Sequence, residues 1–224
     1  MKILFALPGA EYPRQFIIPW TGIVTGCLQR GHKVMVSQEY VCDVRMVRVL
    51  CLGGNMIGTK DQLPFDGKLD YDCIMWIDSD TAFEVNDFFK LLETPHEITS
   101  GLCLMGDGRR FAACKSRDKK YFKQHGMYEY ITPESLKTHS GDRYIPVEFC
   151  GMAWMLVKRG VFENKKIEYP WFIHPPTIVD GIIDTHGGDV SFCLKAKNAG
   201  YKVMIDSEVI VGHIKPSILF PDME

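Results

Sequence analysis

Cys73-Ile74-Met75-Trp76-Ile77-Asp78-Ser79-Asp80 is an apolar run that stops at two carboxylates. Five consecutive apolar residues suit a strand covered on both faces, as in the parallel sheets of α/β proteins. If the chain stays extended past Ile77, a side-chain period of 2 puts Asp78 and Asp80 on the same side. Two like charges held there repel unless a proton or a cation separates them. Hard divalent cations take oxygen ligands, and Mg²⁺ or Mn²⁺ is commonly shared with substrate phosphates. The pair therefore points to a metal–phosphate site at the end of a buried strand. The plainer reading makes Asp80 the cap of a helix starting near Thr81.

Outward from this strand, the first half alternates strand and helix patterns. Strands are expected over residues 2–7, 33–38, 72–77 and 97–104. Helices are expected over 20–30, with Ile23, Val24, Cys27 and Leu28 on one face and Gly31 as the stop, and over 43–52 and 85–92. Repeated β–α–β order implies an α/β domain with a central, mostly parallel, mixed sheet flanked by helices. Such sheets bind ligands at the carboxyl ends of their strands, where Asp78 and Asp80 fall.

The second half changes character. Residues 106–146 are polar and weakly periodic, as in a long functional or disordered loop. Seven Lys or Arg lie between Arg109 and Lys123, read first as a solvated loop. A strand is expected over 147–157 and an amphipathic helix after Asp189, with Val190, Cys193, Leu194 and Ala196 inward and Gly200 as its stop. Short strands over 203–205 and 209–211 then lead to Gly212-His213. With no repeat and no linker, residues 1–224 read as one domain.

Composition narrows the function classes. The chain is 46% apolar and 24% charged, which is ordinary for a globular protein, and its net charge of −2 gives no whole-chain field for nucleic acid. No run approaches the length of a membrane span. Met1 to Gly9 is too short for a secretory leader and reads as a first strand closed by Pro-Gly. The eight cysteines are scattered through apolar segments without a Cys-x-x-Cys, as reduced core residues of a cytoplasmic protein, which points away from zinc. The abrupt end at Pro221-Asp222-Met223-Glu224 would suit a trimmed chain.

Four segments in order carry a resemblance: the strand into Asp78-Ser79-Asp80, Phe149 to Phe162, Gly187-Gly188-Asp189 through Val203, and the late His213. Together they resemble a nucleotide-sugar glycosyltransferase of the GT-A fold, a single Rossmann-like domain, over nearly the whole chain. The compact size is also similar to glycosyltransferase domains encoded by large DNA viruses of algae, which would place the protein in a host cytoplasm. The resemblance implies a nucleotide-sugar-binding half over 1–105 and an acceptor-binding and catalytic half over 106–224. It implies Mn²⁺ or Mg²⁺ on Asp78, Asp80 and His213, and a UDP-sugar as donor. It also implies Asp189 as the base that deprotonates a sugar hydroxyl of a glycan acceptor, so that a hexose or deoxyhexose moves with inversion. The family's Glu-Asp pair stands here as Gly188-Asp189, so only the Asp remains.

Other candidates follow from position. Pro8 and Gly9 end the first strand, where a uracil and ribose sit in this fold, and Ser79 lies between the two carboxylates. Arg45 and Arg48 suit a diphosphate, because guanidinium pairs well with phosphate oxygens. Gln38 could hydrogen-bond the base. Gly151, Trp154, Trp171 and His186 are candidates for the acceptor side, the tryptophans by stacking on sugar faces, although large aromatics are more often core. Asp189 also reads as a plain helix cap.

Three other functions use part of the same pattern. A haloacid-dehalogenase-like phosphohydrolase also places Asp-x-Asp after an apolar strand, but it wants Thr where Ala82 stands. A nucleotidyltransferase usually shows a Gly-rich basic loop after its first strand, and residues 8–15 lack one. A catalytically inactive sugar-binding domain has only Gly188 in its favour.

Overall fold

The computed structural model describes residues 1–55 and 57–215. The chain runs β1 (Lys2–Pro8), α1 (Arg14–Gln29), β2 (Lys33–Glu39), α2 (Val44–Cys51), β3 (Cys73–Ile77), β4 (Thr81–Ala82), α3 (Val85–Leu92) and β5 (Ile98–Cys103). It continues with β6 (Ala113–Ser116), α4 (Lys119–His125), β7 (Glu129–Tyr130), α5 (Pro133–Lys137), β8 (Tyr144–Val147), β9 (Phe149–Cys150) and β10 (Trp154–Lys158). The last elements are β11 (Thr177–Val179), β12 (Ile182–Asp184), α6 (Gly188–Asn198) and β13 (Val203–His213).

An eight-stranded sheet in the order β2-β1-β3-β10-β5-β13-β4, with β8 also paired to β13, organises these elements. The strands β1, β2, β3, β5 and β13 run one way. β10 lies antiparallel between β3 and β5, and β8 and β4 are antiparallel to β13. The sheet is therefore mixed and mostly parallel by strand direction, as expected. The strand β10 from the second half of the sequence lies between two strands of the first, so both halves share one sheet.

Period-2 alternation divides the core. On one face Ile3, Phe5, Leu7, Cys73, Met75 and Ile77 pack with Phe16, Ile23 and Cys27 of α1 and Phe88 and Leu91 of α3. On the other, Leu4, Ala6, Ile74 and Trp76 pack with Val49 and Cys51 of α2 and Phe192, Cys193 and Ala196 of α6. A strand covered on both faces has no place for a polar residue until it leaves the sheet, so β3 reads as an unbroken apolar run up to Asp78.

Several expectations need correction. The first helix begins at Arg14, and Leu28 is 59% exposed because the face that turns inward carries Phe16, Ile23 and Cys27. Residues 106–146 are not a structureless loop. They hold β6, α4, β7, α5 and β8, elements of two to seven residues, too short to show a period. Asp118 caps α4 by accepting from the Lys120 and Tyr121 amides, and the stacked rings of Phe122 and Tyr128 anchor it. The strand expected over 147–157 is broken: β9 pairs with β6 in a separate small sheet, and only β10 enters the central one.

The last two short strands are one, β13, with a register shift between Ile205 and Ile210. Asp206, fully buried, lies within the shifted stretch. It accepts a bidentate pair from Arg143, Nε at 2.9 Å and Nη2 at 2.7 Å, and also the Glu208 amide at 3.1 Å. All eight cysteines are free. Among the described residues no helix is long and apolar enough to cross a membrane. Residues 221–224 lie outside the described residues.

The Arg143–Asp206 pair gives a stability test. Arg143→Met leaves a buried carboxylate without its partner and should cost about 3–5 kcal/mol in urea unfolding at neutral pH. Arg143→Met combined with Asp206→Leu removes both charges and should recover part of that loss.

Candidate functional site

The parallel strands β1, β2 and β3 deliver their carboxyl ends to one edge. Pro8 is in register with Glu39, and the Gly9 amide donates to the Glu39 carbonyl at 3.0 Å. A cleft of about 390 Å³ opens there, lined by Pro8, Gly9, Tyr40, Val44, Asp78 and Asp80 among others. Gly9 lies against Ser79 so closely that a Cβ would come within 2.5 Å of its side chain. Gln38 donates to the Gly9 carbonyl and Tyr12 to the Leu7 carbonyl, so both brace the turn after β1.

Asp78 and Asp80 do not share a side. After Ile77 the chain turns, with the Asp78 carbonyl accepting from the Thr81 amide at 3.1 Å, so the extended geometry that would align them ends at the strand. Asp80 caps no helix: Glu84 caps α3, forming a capping box with Asp87.

Asp78 turns toward Arg48. That guanidinium, 2% exposed, donates Nη2 to both Asp78 oxygens at 3.2 and 2.9 Å and Nη1 to Asp189 Oδ1 at 2.7 Å. Arg48 is thus the bridge between the donor-side strand end and the start of α6. The second Asp189 oxygen accepts the Met152 amide at 3.3 Å. Asp189 is the second residue of α6, one past Gly188 and two past the Gly187 cap, so the plain capping role does not apply.

Gly188 explains the departure from a Glu at that position. A Cβ there would meet Arg45 Cγ at 3.2 Å and Phe172 Cβ at 3.6 Å, so the absent side chain lets α2 and α6 approach. Arg45 itself is exposed and paired with Asp43, the α2 cap, at 2.8 Å.

The two carboxyls bridged by Arg48 differ electrostatically. Burial pushes the Asp78 carboxyl above the ordinary aspartate value, aided by the charges of Asp189 and Asp80, and Arg48 only partly offsets this. Burial acts on Asp189 in the same sense, but the charge and hydrogen bond of Arg48, with the Met152 amide, bring it below the ordinary value. Asp189 is therefore ionised at neutral pH, and its unused lone pairs can accept a proton. Groups whose surroundings push their pKa values apart suit different tasks.

Asp80 faces His213, the last residue of β13. His213 Nδ1 lies 2.9 Å from the Leu104 carbonyl, which can only accept, so Nδ1 carries a hydrogen. In the neutral ring Nε2 then presents a lone pair to Asp80 Oδ2, 2.9 Å away. Two acceptors at that distance need a proton or a cation between them. Cis ligands of an octahedral ion at about 2.1 Å stand roughly 3 Å apart, so this spacing fits a divalent cation. A backbone carbonyl on the other ring nitrogen is the usual second-shell arrangement for a metal-bound histidine. Among the described residues no group of three His, Cys, Asp or Glu is arranged to hold a metal, and Asp78 is engaged by Arg48 instead of completing the expected trio. The donor set is Asp80 and His213, which suits an ion that takes its other ligands from phosphate and water.

The acceptor-side candidates divide. Gly151 lies at the site: a Cβ there would come 3.6 Å from Asp189 Oδ2 and 3.1 Å from Ala112 Cβ. His186 binds Thr177 Oγ1 through Nε2 at 2.7 Å, and burial pushes its pKa down. Trp154 and Trp171 must be corrected. Both are fully buried, Trp154 against Phe83 and Trp171 against Phe162 and Tyr169, and neither offers a face to a sugar.

Sequence reasoning missed three contributors. Tyr12 carried no signal. The Met152 contact is made by a backbone amide, which no side chain announces. Lys215 Nζ lies 3.7 Å from Asp80 Oδ2, two residues beyond the end of β13, where no strand period marks it.

Two substitutions test this geometry. Arg48→Met leaves two carboxylates without their cation and should cost about 3–5 kcal/mol at neutral pH. In the wild type, Asp189 contributes stability that is fully present above its unfolded pKa of about 3.9 and is lost as pH falls through its lower folded value. The variant should instead gain stability between neutral pH and about pH 4, as the unpaired carboxyls take up protons, measured by urea unfolding across pH. Gly9→Ala should displace Ser79 and weaken ligand binding in the cleft, and a second substitution, Ser79→Gly, should restore it in part, because the Gly9 φ of +156° itself disfavours a side chain.

No protein-family model matches the chain, and no curated protein matches it in sequence. Solved structures with a related shape include A197 from STIV, 12% identical with a TM-score of 0.49, covering 99% of this chain and 98% of that one. GalNAc-T7 with UDP, GalNAc and Mn²⁺ is 11% identical with a TM-score of 0.47, covering 96% of this chain and 44% of that one. S. aureus TarS 1-349 is 10% identical with a TM-score of 0.44, covering 96% and 60% respectively. The chain thus spans less than two thirds of the latter two. All three scores lie below 0.5.

Proposed function

We propose that the protein is a metal-dependent glycosyltransferase that moves a hexose or deoxyhexose from a UDP-sugar to a sugar hydroxyl of a glycan acceptor, with inversion. The observation that carries this reading is the Asp80–His213 contact at 2.9 Å, in which a carboxylate oxygen and an imidazole nitrogen face each other beside the strand-end cleft. Across the same edge an ionised Asp189 stands ready for a proton. A leaving diphosphate needs a cation, and an attacking hydroxyl needs a base.

Asp80 and His213 would hold Mn²⁺ or Mg²⁺, which when bound would neutralise the charge developing on the departing diphosphate. The turn after β1, braced by Gln38 and Tyr12, and the cleft wall of Tyr40 and Val44 would seat the nucleoside. Asp189 would take the hydroxyl proton as the acceptor oxygen bonds to the anomeric carbon. The bond from that carbon to the diphosphate would break with its electron pair leaving on oxygen. Arg48 is a positioning residue in this scheme: it keeps Asp189 ionised and oriented while tying it to the donor-side strand end. Gly151 leaves room beside the base for the acceptor. A single displacement with one base inverts the anomeric centre.

Calorimetry of UDP binding with and without Mn²⁺ tests the reading directly. Binding that requires Mn²⁺ and falls about a hundredfold or more in Asp80→Ala and His213→Ala is expected. Equal binding without metal, or binding unchanged by both substitutions, would remove the site. Because the Asp189 pKa lies below the ordinary aspartate value, the acid limb of transferase activity that it sets should fall below about pH 4. A limb centred near neutrality would point to another base.

A further inference from the structure

The hairpin β11–β12 lies outside the central sheet. Its turn is Asp180-Gly181, both at positive φ, +48° and +86°, as a two-residue hairpin turn requires. Thr177 pairs with Asp184, Ile178 with Ile183, and Val179 with Ile182. Alternation puts Val179 and Asp184 on the inner face, where they are 3% and 9% exposed, and Ile178 and Ile183 on the outer one, 72% and 68% exposed. A cross-strand pair of isoleucines thus stands in water, while Ile182, 41% exposed, pairs with Val179 and faces the other way.

The inner face is firmly seated. Asp184 accepts from Tyr128 at 2.7 Å and Arg117 at 3.3 Å, and Thr177 binds His186. The outward isoleucines therefore belong to an anchored hairpin. At the turn, Asp180 pairs with Lys123 of α4 at 2.6 Å, and the charge of Lys119, one helical turn earlier, also bears on it. Lys115, Lys119 and Lys120 are exposed and form no ion pair among the described residues. The basic run thereby reaches the turn of this hairpin through Lys123, on a chain whose net charge is −2.

We propose that this surface, the outer face of the hairpin with the lysines of α4, docks on an anionic lipid membrane. Each half of the surface answers one half of that partner. Isoleucine side chains enter the acyl boundary, and lysines meet the phosphate and serine headgroups. A soluble polyanion would use the lysines and leave the isoleucines in water. A second copy of the chain would bring lysines against lysines. The docking does not depend on the reaction assigned to the cleft.

Flotation of the full chain with phosphatidylcholine vesicles, with and without phosphatidylserine, decides the matter. The wild type should float with the serine-containing vesicles only, less so as salt rises. Ile178→Ser with Ile183→Ser, and separately Lys119→Glu with Lys120→Glu, should each lower the bound fraction about tenfold or more, with unchanged circular dichroism and unchanged UDP binding. All four side chains are exposed, so these variants retain the fold. No flotation with anionic vesicles, or flotation that both double variants leave intact, overturns the proposal. It is equally overturned if light scattering shows a dimer that the isoleucine variant dissociates while vesicles bind neither form.

Discussion

The guanidinium of Arg48 is the constraint on which the site depends. It is buried, carries a charge that cannot be given up, and satisfies it only by holding Asp78 and Asp189 at once. Those residues are far apart in sequence, one at the end of β3 and one at the start of α6. Without the cation, two carboxylates would share a poorly solvated edge, a costly arrangement that protonation would relieve. With it, α2, β3 and α6 converge on one point. The bare backbone at Gly188 allows that convergence, since any side chain there would press into Arg45.

A second polar contact sits beside the first and has the opposite sense. Arg48 supplies positive charge to Asp78 and Asp189, whereas Asp80 and His213 face each other across 2.9 Å with a proton or a cation needed between them. The first gathers two carboxylates on one guanidinium, whose buried Nε finds no partner among the described residues, and the second is bridged by a proton or by a cation. This division gives the two aspartates of one short motif different tasks, and the turn that follows Ile77 makes it possible by rotating Asp80 away from Asp78. The proposed chemistry follows: charge neutralisation on one side of the cleft and proton acceptance on the other.

Much of the architecture was legible because burial on both faces leaves a strong trace. The strands at residues 2–7, 33–38, 72–77 and 97–104 and the helices at 43–52 and 85–92 were marked by long apolar runs or periodicity, and they agree with β1, β2, β3, β5, α2 and α3. Between residues 106 and 187 the trace survives only in β10, most of which lies in the strand expected over 147–157. The elements there are short, and their stability comes from contacts such as Asp184 with Tyr128 and Arg117, which join distant segments. The Asp180-Gly181 hairpin turn is a local signal there that the reading of the sequence passed over. Trp154 and Trp171 show the reverse error: their size suggested ligand stacking, and the same size put them in the core.

The amino-acid sequence by itself determined the alternation of strands and helices, the parallel edge at which β1, β2 and β3 end, and the presence there of Asp78 and Asp80. These are local consequences of hydrophobic period and of where apolar runs stop. Only the tertiary structure decided which carboxylate met which partner. Arg48 reaches Asp78 and Asp189, and His213 reaches Asp80, across separations of 30 to 141 residues. Pairing over such distances is set by how helices settle on a sheet and by a missing side chain at Gly188, and neither leaves a periodic mark along the chain.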